Sequence, residues 1–510
     1  MSHLLGIDVG TTATKTILID TNGKVISGSI VGYPLSTPHP NWAEQDPGHW
    51  WKAAVESIRK ALNQSGIGAE SILGIGLSGQ MHSSVFLDRH NRVLRPSILW
   101  CDTRTKKQCQ WIVDRVGVEG LREYVSNFAF EGFTAPKIVW LRENEPAIYA
   151  QVKTVLLPKD YIRFKLTGEL ATEVSDAAGT LLFDVKNRGW SAQMLQRLQI
   201  PSSWLPEVYE STDICGRITR EAAQLTGLKV GTPVVGGGAD NTCGAVGSGI
   251  VKPGRVLSSI GTSGVVFAYT DRLKVDPQMR VHSFCHSVPC KWYLMGVVLS
   301  AGGSFRWFRD TIGGLEAKTE ELSGIDSYEI LTREAEGIGP GSEGLIFLPH
   351  LMGERTPHRD PHAKGVWFGI TSRHTRGHLV RSVLEGITFA MRDSMEIIRG
   401  LGVEPKQIRA TGGGARSRLW CQLQADIYRA PVVTVNTSRE GPAFGAALMA
   451  GVGTGVWSDL VEATDQTVEI TATTQPIEDN VRIYNQLYPI YQSLYPLLKE
   501  KFAEVSALME

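Results

Sequence analysis

A strand, a glycine–threonine turn and a second strand occur twice in this chain, far apart in sequence. The first copy reads IDVGTTATKTILID (residues 7–20), and the second reads RVLSSIGTSGVVFAYTD (residues 255–271). Short β-branched runs on both sides of a turn are typical of paired strands. The repeat therefore predicts two domains with the same core, joined near residue 250, where Pro253-Gly254 marks a natural boundary.

The composition is that of an ordinary globular protein. The chain has 510 residues, of which 42% are hydrophobic and 20% charged, enough for two or three domains of about 100–200 residues each. Lys and Arg together number 52, as do Asp and Glu, so the net charge is zero. A sequence-independent nucleic-acid binder needs a basic face, and this balance argues against that class, although a local basic pocket is compatible with it.

Targeting signals are absent from the sequence as given. The first residues, MSHLLGIDVG, lack a basic segment followed by a long apolar core, and no run approaches the roughly 18 apolar residues of a membrane helix. The seven cysteines are scattered and never form CxxC, which is typical of reduced thiols. We therefore expect a cytoplasmic protein without membrane contact.

One segment gathers possible metal ligands. HSFCHSVPC, residues 282–290, contains two His and two Cys. The spacings of zinc fingers and of HExxH sites are not present. Alternation and the Pro289 turn instead favour two strands of a hairpin, with a metal site as the alternative.

Local patterns predict secondary structure along both halves of the chain. Asn22-Gly23 is a hairpin turn, and Asp46-Pro47 begins a helix with apolar residues at helical spacing. The closing helix carries a tyrosine stripe that we expect in the core, with Pro489 and Pro496 kinking or breaking it. The predicted elements are a β-meander over 4–31, a strand over 72–80, a hairpin over 85–100, mostly helices over 101–230 with a strand near VKTVLLP, a strand over 232–240, two strands over 255–271, helix–strand alternation to about 470, and a helix over 477–510.

The first turn has the features of an anion cradle. Gly10 can adopt dihedrals closed to other residues, Thr11 and Thr12 offer hydroxyls beside backbone N–H groups, and Lys15 adds positive charge. Asp8 ends the strand, and a carboxylate beside phosphates implies a divalent cation, so Mg²⁺ is predicted here. The alternative is an ordinary tight hairpin with a solvated Asp.

The second turn strengthens the phosphate interpretation. Gly261 and Thr262 repeat the pattern, and two such turns can hold one triphosphate. Gly412, Gly413 and Gly414 follow a strand and open a helix, leaving backbone exposed for a base or ribose. Gly302 marks another bare helix start near a nucleotide. GPAFGAALMAG, residues 441–451, is a small-residue helix that packs either at a hinge or in a tight core.

Asp240 stands in a cleared space. It follows three glycines and an alanine in GGGADNTCGAVG, residues 236–247. Such clearance indicates that something approaches its oxygens closely. A general base must come within about 2.6–3.2 Å of the hydroxyl that it deprotonates, and an ordinary Asp pKa of about 4 is adequate for that role. The alternative is a turn former that caps the next helix.

Taken together, these motifs resemble the sugar kinase, Hsp70 and actin ATPase superfamily, and within it the FGGY family of carbohydrate kinases. The resemblance covers nearly the whole chain. It implies an α/β fold of two ribonuclease H-like domains, residues 1–250 and 251–510, around a central ATP cleft that closes on substrate. The motifs that carry it are IDVGTTATK, PNWAEQDPGHWW, GLSGQMH, LLPKDYIRFKLTGELATEVSDAAGTLLFDV, GGGADNTCGAVG, IGTSG, LPHLMGERTPHRDP and ATGGGARS.

The resemblance also implies roles for individual residues. Asp240 is the catalytic base, assisted by Asp8, and both carboxylates serve Mg²⁺. Met81, His82, Asp240 and Asn241 contact the sugar. The residues implied for ATP are Gly10, Thr11, Thr12, Lys15, Gly261, Thr262, Gly302, Gly412, Gly413, Gly414 and Ser417.

The implied reaction is phosphorylation of a ketopentose, D-xylulose at its 5-hydroxyl. The Met81-His82 pair is similar to that of family members acting on xylulose and argues against glycerol. Ser83 departs from their usual Met-His-Gly and is similar to gluconate kinases. His82 as a core histidine is the structural alternative.

Two other classes of function stay open at this point. The first alternative is a kinase for another sugar, such as gluconate or ribulose. The second is an ATP-switched binding protein of the Hsp70 or actin kind. A sugar-sensing regulator is disfavoured, because no DNA-binding segment precedes Asp8. A homodimer is expected.

Overall fold

The computed structural model of the chain describes residues 2–438 and 440–508. The fold divides into two compact units, each discontinuous in sequence. Unit 1 comprises Met1–Lys252, Tyr269–Tyr293 and Arg439–Glu469, and unit 2 comprises Pro253–Ala268, Leu294–Ser438 and Ile470–Glu510. The predicted domains, 1–250 and 251–510, are continuous, and their boundary stays a prediction. Across the described ranges, no helix is both long and apolar enough to span a membrane.

The strands alternate with helices through most of the chain. In chain order they are β1 His3–Val9, β2 Ala13–Asp20, β3 Val25–Gly32, β4 Glu44–Gln45, β5 Ile72–Gly79, β6 Val85–Leu87, β7 Ser97–Ile98, β8 Thr154–Leu156, β9 Ala171–Glu173, β10 Phe183–Asp184, β11 Gly189–Trp190, β12 Glu207–Tyr209, β13 Ile214–Arg217, β14 Pro233–Val235, β15 Gly238–Ala239, β16 Arg255–Ile260, β17 Gly264–Thr270, β18 His282–Cys285, β19 Trp292–Val298, β20 Ile346–Leu348, β21 Val366–Phe368, β22 Gln407–Gly412, β23 Val432–Val435 and β24 Ile470–Thr474.

The helices are α1 Pro47–Ser65, α2 Lys106–Val116, α3 Val118–Val125, α4 Thr134–Asn144, α5 Pro146–Tyr149, α6 Pro158–Thr167, α7 Val174–Ala178, α8 Ala192–Leu198, α9 Arg220–Thr226, α10 Asp240–Gly247, α11 Gly302–Ile312, α12 Gly314–Ser323, α13 Ser327–Glu336, α14 Arg376–Gly400, α15 Arg418–Tyr428, α16 Pro442–Gly453, α17 Leu460–Thr467 and α18 Glu478–Ala507. Short 3₁₀ turns cover Ala69–Ser71, Ser202–Trp204, Ser342–Gly344 and Gly413–Ala415.

The sheet of unit 1 is built on the first glycine–threonine hairpin. Its strand order is β13-β14-β5-β1-β2-β3, with β15 also paired to β5. β1 is antiparallel to β2 and parallel to β5. The predicted meander and the predicted strand over 72–80 are therefore confirmed, and they are neighbours in one sheet.

The sheet of unit 2 repeats this arrangement. Its strands follow the order β19-β17-β16-β22-β23-β24. β16 is antiparallel to β17 and parallel to β22, as β1 is to β2 and β5. The repeat predicted from the two glycine–threonine turns is thus a repeat of strand topology.

Helix α16 packs directly on the backbone of the first sheet. A Cβ added at Gly6 would lie 1.9 Å from the Ala443 carbonyl oxygen, and one at Gly76 would lie 1.8 Å from that of Ala446. No side chain fits at such distances, so glycine on β1 and β5 lets the helix approach. Most of α16 is buried in the core of unit 1, as the tight-core interpretation of GPAFGAALMAG predicts.

Two local predictions can be compared with the structure in detail. Asp46 accepts a hydrogen bond from the Gly48 N–H at 2.8 Å and caps α1 as predicted. The predicted hairpin over 85–100 is present but irregular. The Asp88 N–H donates to the Arg92 carbonyl at 3.0 Å, the Leu94 N–H donates to the Phe86 carbonyl at 3.0 Å, and Leu87 pairs antiparallel with Val93. Its arms do not form one long ladder, because β6 also pairs with β8 and β7 pairs with β4.

The predicted closing helix is confirmed without the break predicted at its prolines, and a kink there stays a prediction. α18 runs continuously through Pro489 and Pro496. The predicted tyrosine stripe is buried, including Tyr484, Tyr488 and Tyr491. Residues 509 and 510 of the predicted helix lie outside the described residues.

Candidate active site

The register of the first sheet brings two aspartates to one edge. β5 is parallel to both β1 and β15, so these strands end on the same side, where α/β sheets bind ligands. Asp8 on β1 is paired with Ser78 on β5, and Ser78 is paired with Gly238 on β15. Asp240 follows Gly238 by two residues. Asp8 and Asp240 thus flank β5 at its carboxyl end.

Asp8 lies in a recess at this edge. Its side chain keeps some exposed surface, so a ligand can reach it, while the surrounding protein removes most of its hydration. This burial raises the pKa of Asp8 to about 6, although the Ser78 hydroxyl and Lys15 act in the opposite direction. Ser78 donates to Asp8 Oδ1 at 2.9 Å. The carboxylate is therefore oriented but only partly neutralised.

Asp240 is perturbed more strongly. Burial, and then the charge of Asp8, raise its pKa to about 7, so the ordinary value of about 4 expected from the sequence does not apply. Its Oδ1 accepts a hydrogen bond from the Asn241 N–H at 2.7 Å. Asp240 is the first residue of α10, and Ala239 is the N-cap. Asp240 is therefore not the cap of α10, and its raised pKa is compatible with a general base.

The first glycine–threonine turn is held from several sides. The Gly10 N–H donates to the Ala13 carbonyl at 3.0 Å and closes the turn. Gln45 Nε2 donates to the Thr11 carbonyl at 2.7 Å, and Trp100 Nε1 donates to Thr11 Oγ1 at 2.9 Å. Because an indole N–H only donates, Thr11 must accept here, and its own O–H points to another acceptor. Neither Gln45 nor Trp100 was predicted, since both are distant in sequence.

Lys15 and Thr12 lie on the same hairpin. Lys15 is the cross-strand partner of Asp8 and forms an ion pair of 2.8 Å with Glu440. Thr12 is exposed. Lys15 therefore brings positive charge to the edge, already shared with one carboxylate.

The loop after β5 carries Met81 and His82. His82 has a left-handed backbone (φ 67°), and its Nδ1 lies 2.6 Å from the Gly179 carbonyl oxygen. A carbonyl only accepts, so Nδ1 carries the proton, and Nε2 of the neutral ring is an acceptor. Asn241 Nδ2 contacts Met81 Sδ at 3.4 Å. This contact brings the Met81–His82 loop to the Asp240–Asn241 turn, and the predicted contacts of these four residues with a sugar stay a prediction.

Ser83 directs its side chain into the base of this loop, where its Oγ lies 3.4 Å from the Met81 carbonyl oxygen. Its side chain is fully buried, and its Oγ accepts a hydrogen bond from the Trp100 N–H at 3.1 Å. It also lies 3.4 Å from Gln80 Oε1. Ser83, which departs from the usual Met-His-Gly, therefore supports the structure of the loop.

A buried polar cluster supports the Asp240 turn. Arg163 donates to the Gly236 carbonyl at 2.6 Å, and the Ala239 N–H donates to Ser175 Oγ at 3.0 Å. Ser175 in turn donates to Glu173 at 2.9 Å. These residues lie in LLPKDYIRFKLTGELATEVSDAAGT, which the sequence marked only as a family stretch. They fix both ends of the glycine run that carries Asp240.

The second glycine–threonine turn lies against the start of α11 in unit 2. The Gly261 N–H donates to the Ser263 carbonyl at 3.0 Å, and the Gly302 N–H donates to the Gly261 carbonyl at 2.8 Å. A Cβ at Gly302 would lie 2.3 Å from that oxygen. Arg306 Nη2 lies 3.3 Å from Thr262 Oγ1 and supplies a charge near the turn that the sequence did not predict.

The third glycine stretch adjoins the same turn. Gly412 is paired with Ile260, has φ 74°, and a Cβ there would lie 2.4 Å from the Ile260 carbonyl oxygen. Gly412 and Gly413 are exposed, and Gly414 is buried. Ser417 is the N-cap of α15, accepting from the Trp420 N–H at 3.3 Å. These glycines thus permit close backbone packing and leave an exposed surface.

Asp8 and Asp240 are the candidate ligands for Mg²⁺. In the described residues, no group of three or more His, Cys, Asp or Glu side chains is arranged to hold a metal. Mg²⁺ is usually bound through one or two carboxylates together with substrate phosphates and water, so Asp8 and Asp240 fit that chemistry.

The segment 282–290 forms β18 followed by a turn in which the His286 N–H donates to the Lys291 carbonyl.

Comparison with known proteins assigns the chain to a family. Residues 3–247 match the N-terminal domain model of the FGGY family of carbohydrate kinases, and residues 256–454 match the C-terminal domain model. The predicted fold class is confirmed by solved structures of such kinases, including ligand-bound xylulose kinase from Lactobacillus acidophilus. That structure has a TM-score of 0.91 at 28% identity and covers 99% of this chain and 100% of its own.

Two curated relatives bear on the substrate. The chain is 42% identical to xylulose kinase of Lactococcus lactis subsp. lactis over 494 residues, which are 96% of each protein. It is 31% identical to gluconokinase of Bacillus subtilis over 507 residues, 99% of this chain and 98% of that protein.

Proposed function

Because the chain belongs to the FGGY family of carbohydrate kinases, we propose that it transfers the γ-phosphoryl group of ATP to the 5-hydroxyl of D-xylulose. The single observation that supports this most strongly is the edge where Asp8 and Asp240 flank β5 beside the Met81–His82 loop. The similarity to xylulose kinases over nearly the whole chain favours this sugar.

Asp240 acts as the general base in this proposal. With Oδ1 occupied by the Asn241 N–H, Oδ2 receives the proton of the sugar hydroxyl. The hydroxyl oxygen attacks the γ-phosphorus, the bond from that phosphorus to the bridging oxygen of ADP breaks, and ADP leaves. Phosphoryl transfer is usually loose, so the proton leaves late and needs a well-placed acceptor. The alanine and glycines before Asp240 leave space for the sugar.

The phosphates are assigned to the two turns. In unit 1 the phosphate contacts would be Gly10, Thr11, Thr12 and Lys15, and in unit 2 they would be Gly261 and Thr262. The hydroxyl proton of Thr11, which points away from Trp100, suits a phosphate oxygen. Asp8 and Asp240 would hold Mg²⁺, which when bound neutralises charge on the phosphate oxygens.

The nucleoside is assigned to unit 2. Gly412 and Gly413 offer exposed backbone for adenosine, with Gly414, Ser417 and Gly302 as supporting residues. Gly302 acts through the turn, because its N–H is bonded to Gly261. The predicted cytoplasmic location and homodimer stay predictions.

The sugar side rests on the Met81–His82 loop. Nε2 of neutral His82 accepts from one sugar hydroxyl, Asn241 bonds another, and the Met81 thioether packs on the carbon face. Gluconate is the second candidate, since Met-His-Ser is similar to gluconate kinases and a gluconokinase is among the relatives. The buried Ser83 hydroxyl, however, serves Trp100, so we infer no contact from it to either sugar.

The test is a coupled ADP-release screen over about a dozen sugars and polyols. We expect D-xylulose to give the highest kcat/KM, with gluconate and ribulose far below. Equal or greater turnover of gluconate would replace the substrate. ADP release that no sugar stimulates would favour an ATP-switched binding protein of the same fold.

A further inference from the structure

Lys137 is a fully buried lysine that points to the sugar loop. It lies in the first turn of α4, which begins at Thr134, and its side chain has no exposed surface. Its Nζ donates to the His82 carbonyl at 3.0 Å and to the Gly132 carbonyl at 2.5 Å. A long, flexible cation is an unusual choice for two neutral acceptors, because its burial is costly.

The carbonyl that Lys137 holds belongs to a strained residue. His82 has φ 67°, a conformation that a histidine adopts only when its surroundings impose it. Thr134 Oγ1 donates to the same carbonyl at 2.9 Å. Two donors from the first turn of α4 therefore fix the peptide plane after His82. This plane constrains the backbone of His82 and, through it, the direction of the imidazole ring.

The ring itself is held on the other side. His82 Nδ1 donates to the Gly179 carbonyl, and a Cβ at Gly179 would lie 2.7 Å from Nδ1 and 2.9 Å from Met81 Cε. Phe133 packs on the imidazole with ring centroids 4.7 Å apart. The start of α4 and the turn after α7 thus enclose the Met81–His82 loop.

The surroundings of Lys137 do not explain the charge as an ion pair. Burial lowers its pKa to about 7, and the opposing effects of Asp102, Cys101 and Cys109 compensate only in part, while Arg104 lowers it further. Placing a lysine amino group here thus carries a cost, because burial disfavours its charged form.

We propose that Lys137 is a positioning residue for the sugar: its side-chain amino group donates to the His82 carbonyl, keeps the backbone left-handed and aims Nε2 at a substrate hydroxyl. The inference rests on the proposed sugar-kinase function. It separates Lys137 from the groups that touch substrate, because Lys137 acts through His82.

The test compares K137M, K137Q and T134V with the full-length protein. K137M should raise KM for the sugar at least about tenfold, leave KM for ATP within about twofold, and change kcat less than KM. K137Q keeps one donor and should recover part of the loss. T134V removes the second donor at nearly constant shape and should raise the sugar KM by a smaller factor.

The control variant K165M removes a different lysine side chain of unit 1. Lys165 lies over the Trp51 ring at 5.6 Å and contacts no part of the loop, so K165M should leave both KM values unchanged. A folded K137M or K137Q with wild-type sugar KM would overturn the proposal, as would an equal rise in KM for ATP. If K137M fails to fold, T134V and K137Q decide.

The outcome can be separated from that of the proposed function. The wild-type screen identifies the sugar, and the ratios are then measured with that sugar, whichever it is. If the wild type phosphorylates no sugar, the proposed function fails and this inference is overturned with it. If the wild type is active and the ratios stay near one, only the inference fails.

Discussion

The two glycine–threonine turns have the same backbone and different chemistry. Each joins antiparallel strands and lies beside a parallel strand, β5 in unit 1 and β22 in unit 2. Aligning IDVGTT with SSIGTS places Ser259 where unit 1 has Asp8. Ser259 is paired with Thr411, as Asp8 is with Ser78. One edge carries carboxylates, whereas the other carries hydroxyls and the nearby Arg306.

The turn that both units share can bind phosphate in either unit. The side chains beside it distinguish phosphate binding from proton transfer and cation binding. Backbone N–H groups and hydroxyls can receive phosphate oxygens at either edge. Among the residues compared at the two edges, only Asp8 and Asp240 of unit 1 are carboxylates, which accept a proton and bind a divalent cation. The fold is thus repeated, and a few side chains decide which copy performs the chemistry.

Removing the carboxylate of Asp240 should produce the largest effect. D240N should lower kcat about a thousandfold or more, while ATP binding measured by calorimetry is kept, because the base is lost and the turn is not. The variant should also melt at a higher temperature than wild type at pH 8, since a buried charge is removed. That gain should vanish below about pH 4, where Asp240 is protonated in folded and unfolded protein alike.

Retained turnover in D240N would reject the base assignment. N241A is the matched control, since it changes the neighbouring sugar contact and should affect mainly KM for the sugar.

Exchanging the residues at the matched position should have the next largest effect. D8S gives unit 1 the residue of unit 2 and should lower kcat/KM about a hundredfold, with a higher Mg²⁺ concentration needed for half-maximal rate. S259D places a carboxylate at the other edge and should raise KM for ATP, because it repels phosphate. Steady-state kinetics at varied Mg²⁺ and ATP would measure both.

If D8S has wild-type kinetics, the two edges are equivalent and the comparison fails. D8N serves as the control for loss of charge without loss of size.

How much of this could be predicted from the sequence depends on sequence separation. Gly10, Gly261 and Asp46 bond to residues two or three positions away, so their turns and cap are visible as local patterns. The contact of Arg306 with Thr262 spans 44 residues and that of Trp100 with Thr11 spans 89, and no local pattern marks either.

The remaining failures have the same physical origin. The predicted 85–100 hairpin forms, but its arms also pair with β8 and β4, which lie far away in sequence and which no local pattern marks as partners. The pKa of Asp240 depends on burial and on Asp8, which is distant in sequence. The glycines at 302 and 412 were predicted as nucleotide contacts, and the structure adds close backbone packing that the sequence could not specify.

Below about pH 7, kcat/KM for the sugar should fall about tenfold for each unit by which the pH is lowered. Asp240 must be ionised to accept a proton, and its pKa is raised to about 7 in the free protein. We therefore expect kcat/KM for the sugar to rise with pH and to level off above about 7. Since the charge of Asp8 contributes to this value, the residual activity of D8S should level off at lower pH. A profile that is flat from pH 5 to 8 would contradict the assignment.

Removing one hydroxyl at either turn should have the smallest effect. T11V and T262V should each raise KM for ATP about threefold to tenfold, the loss expected for one hydrogen bond to a charged group. T270V is the control, because the buried Thr270 hydroxyl has no hydrogen-bond partner among the described residues. An effect at Thr11 without one at Thr262 would show that only the turn of unit 1 contacts phosphate.

The central claim is that a sugar hydroxyl meets Asp240 beside the Met81–His82 loop. A crystal structure of D240N with D-xylulose and a non-hydrolysable ATP analogue tests it most directly. We predict the xylulose 5-hydroxyl within about 3.2 Å of the side-chain amide that replaces the Asp240 carboxylate in this variant, with His82 bonded to another hydroxyl. Sugar bound away from that amide, or with a different hydroxyl toward it, would contradict the account.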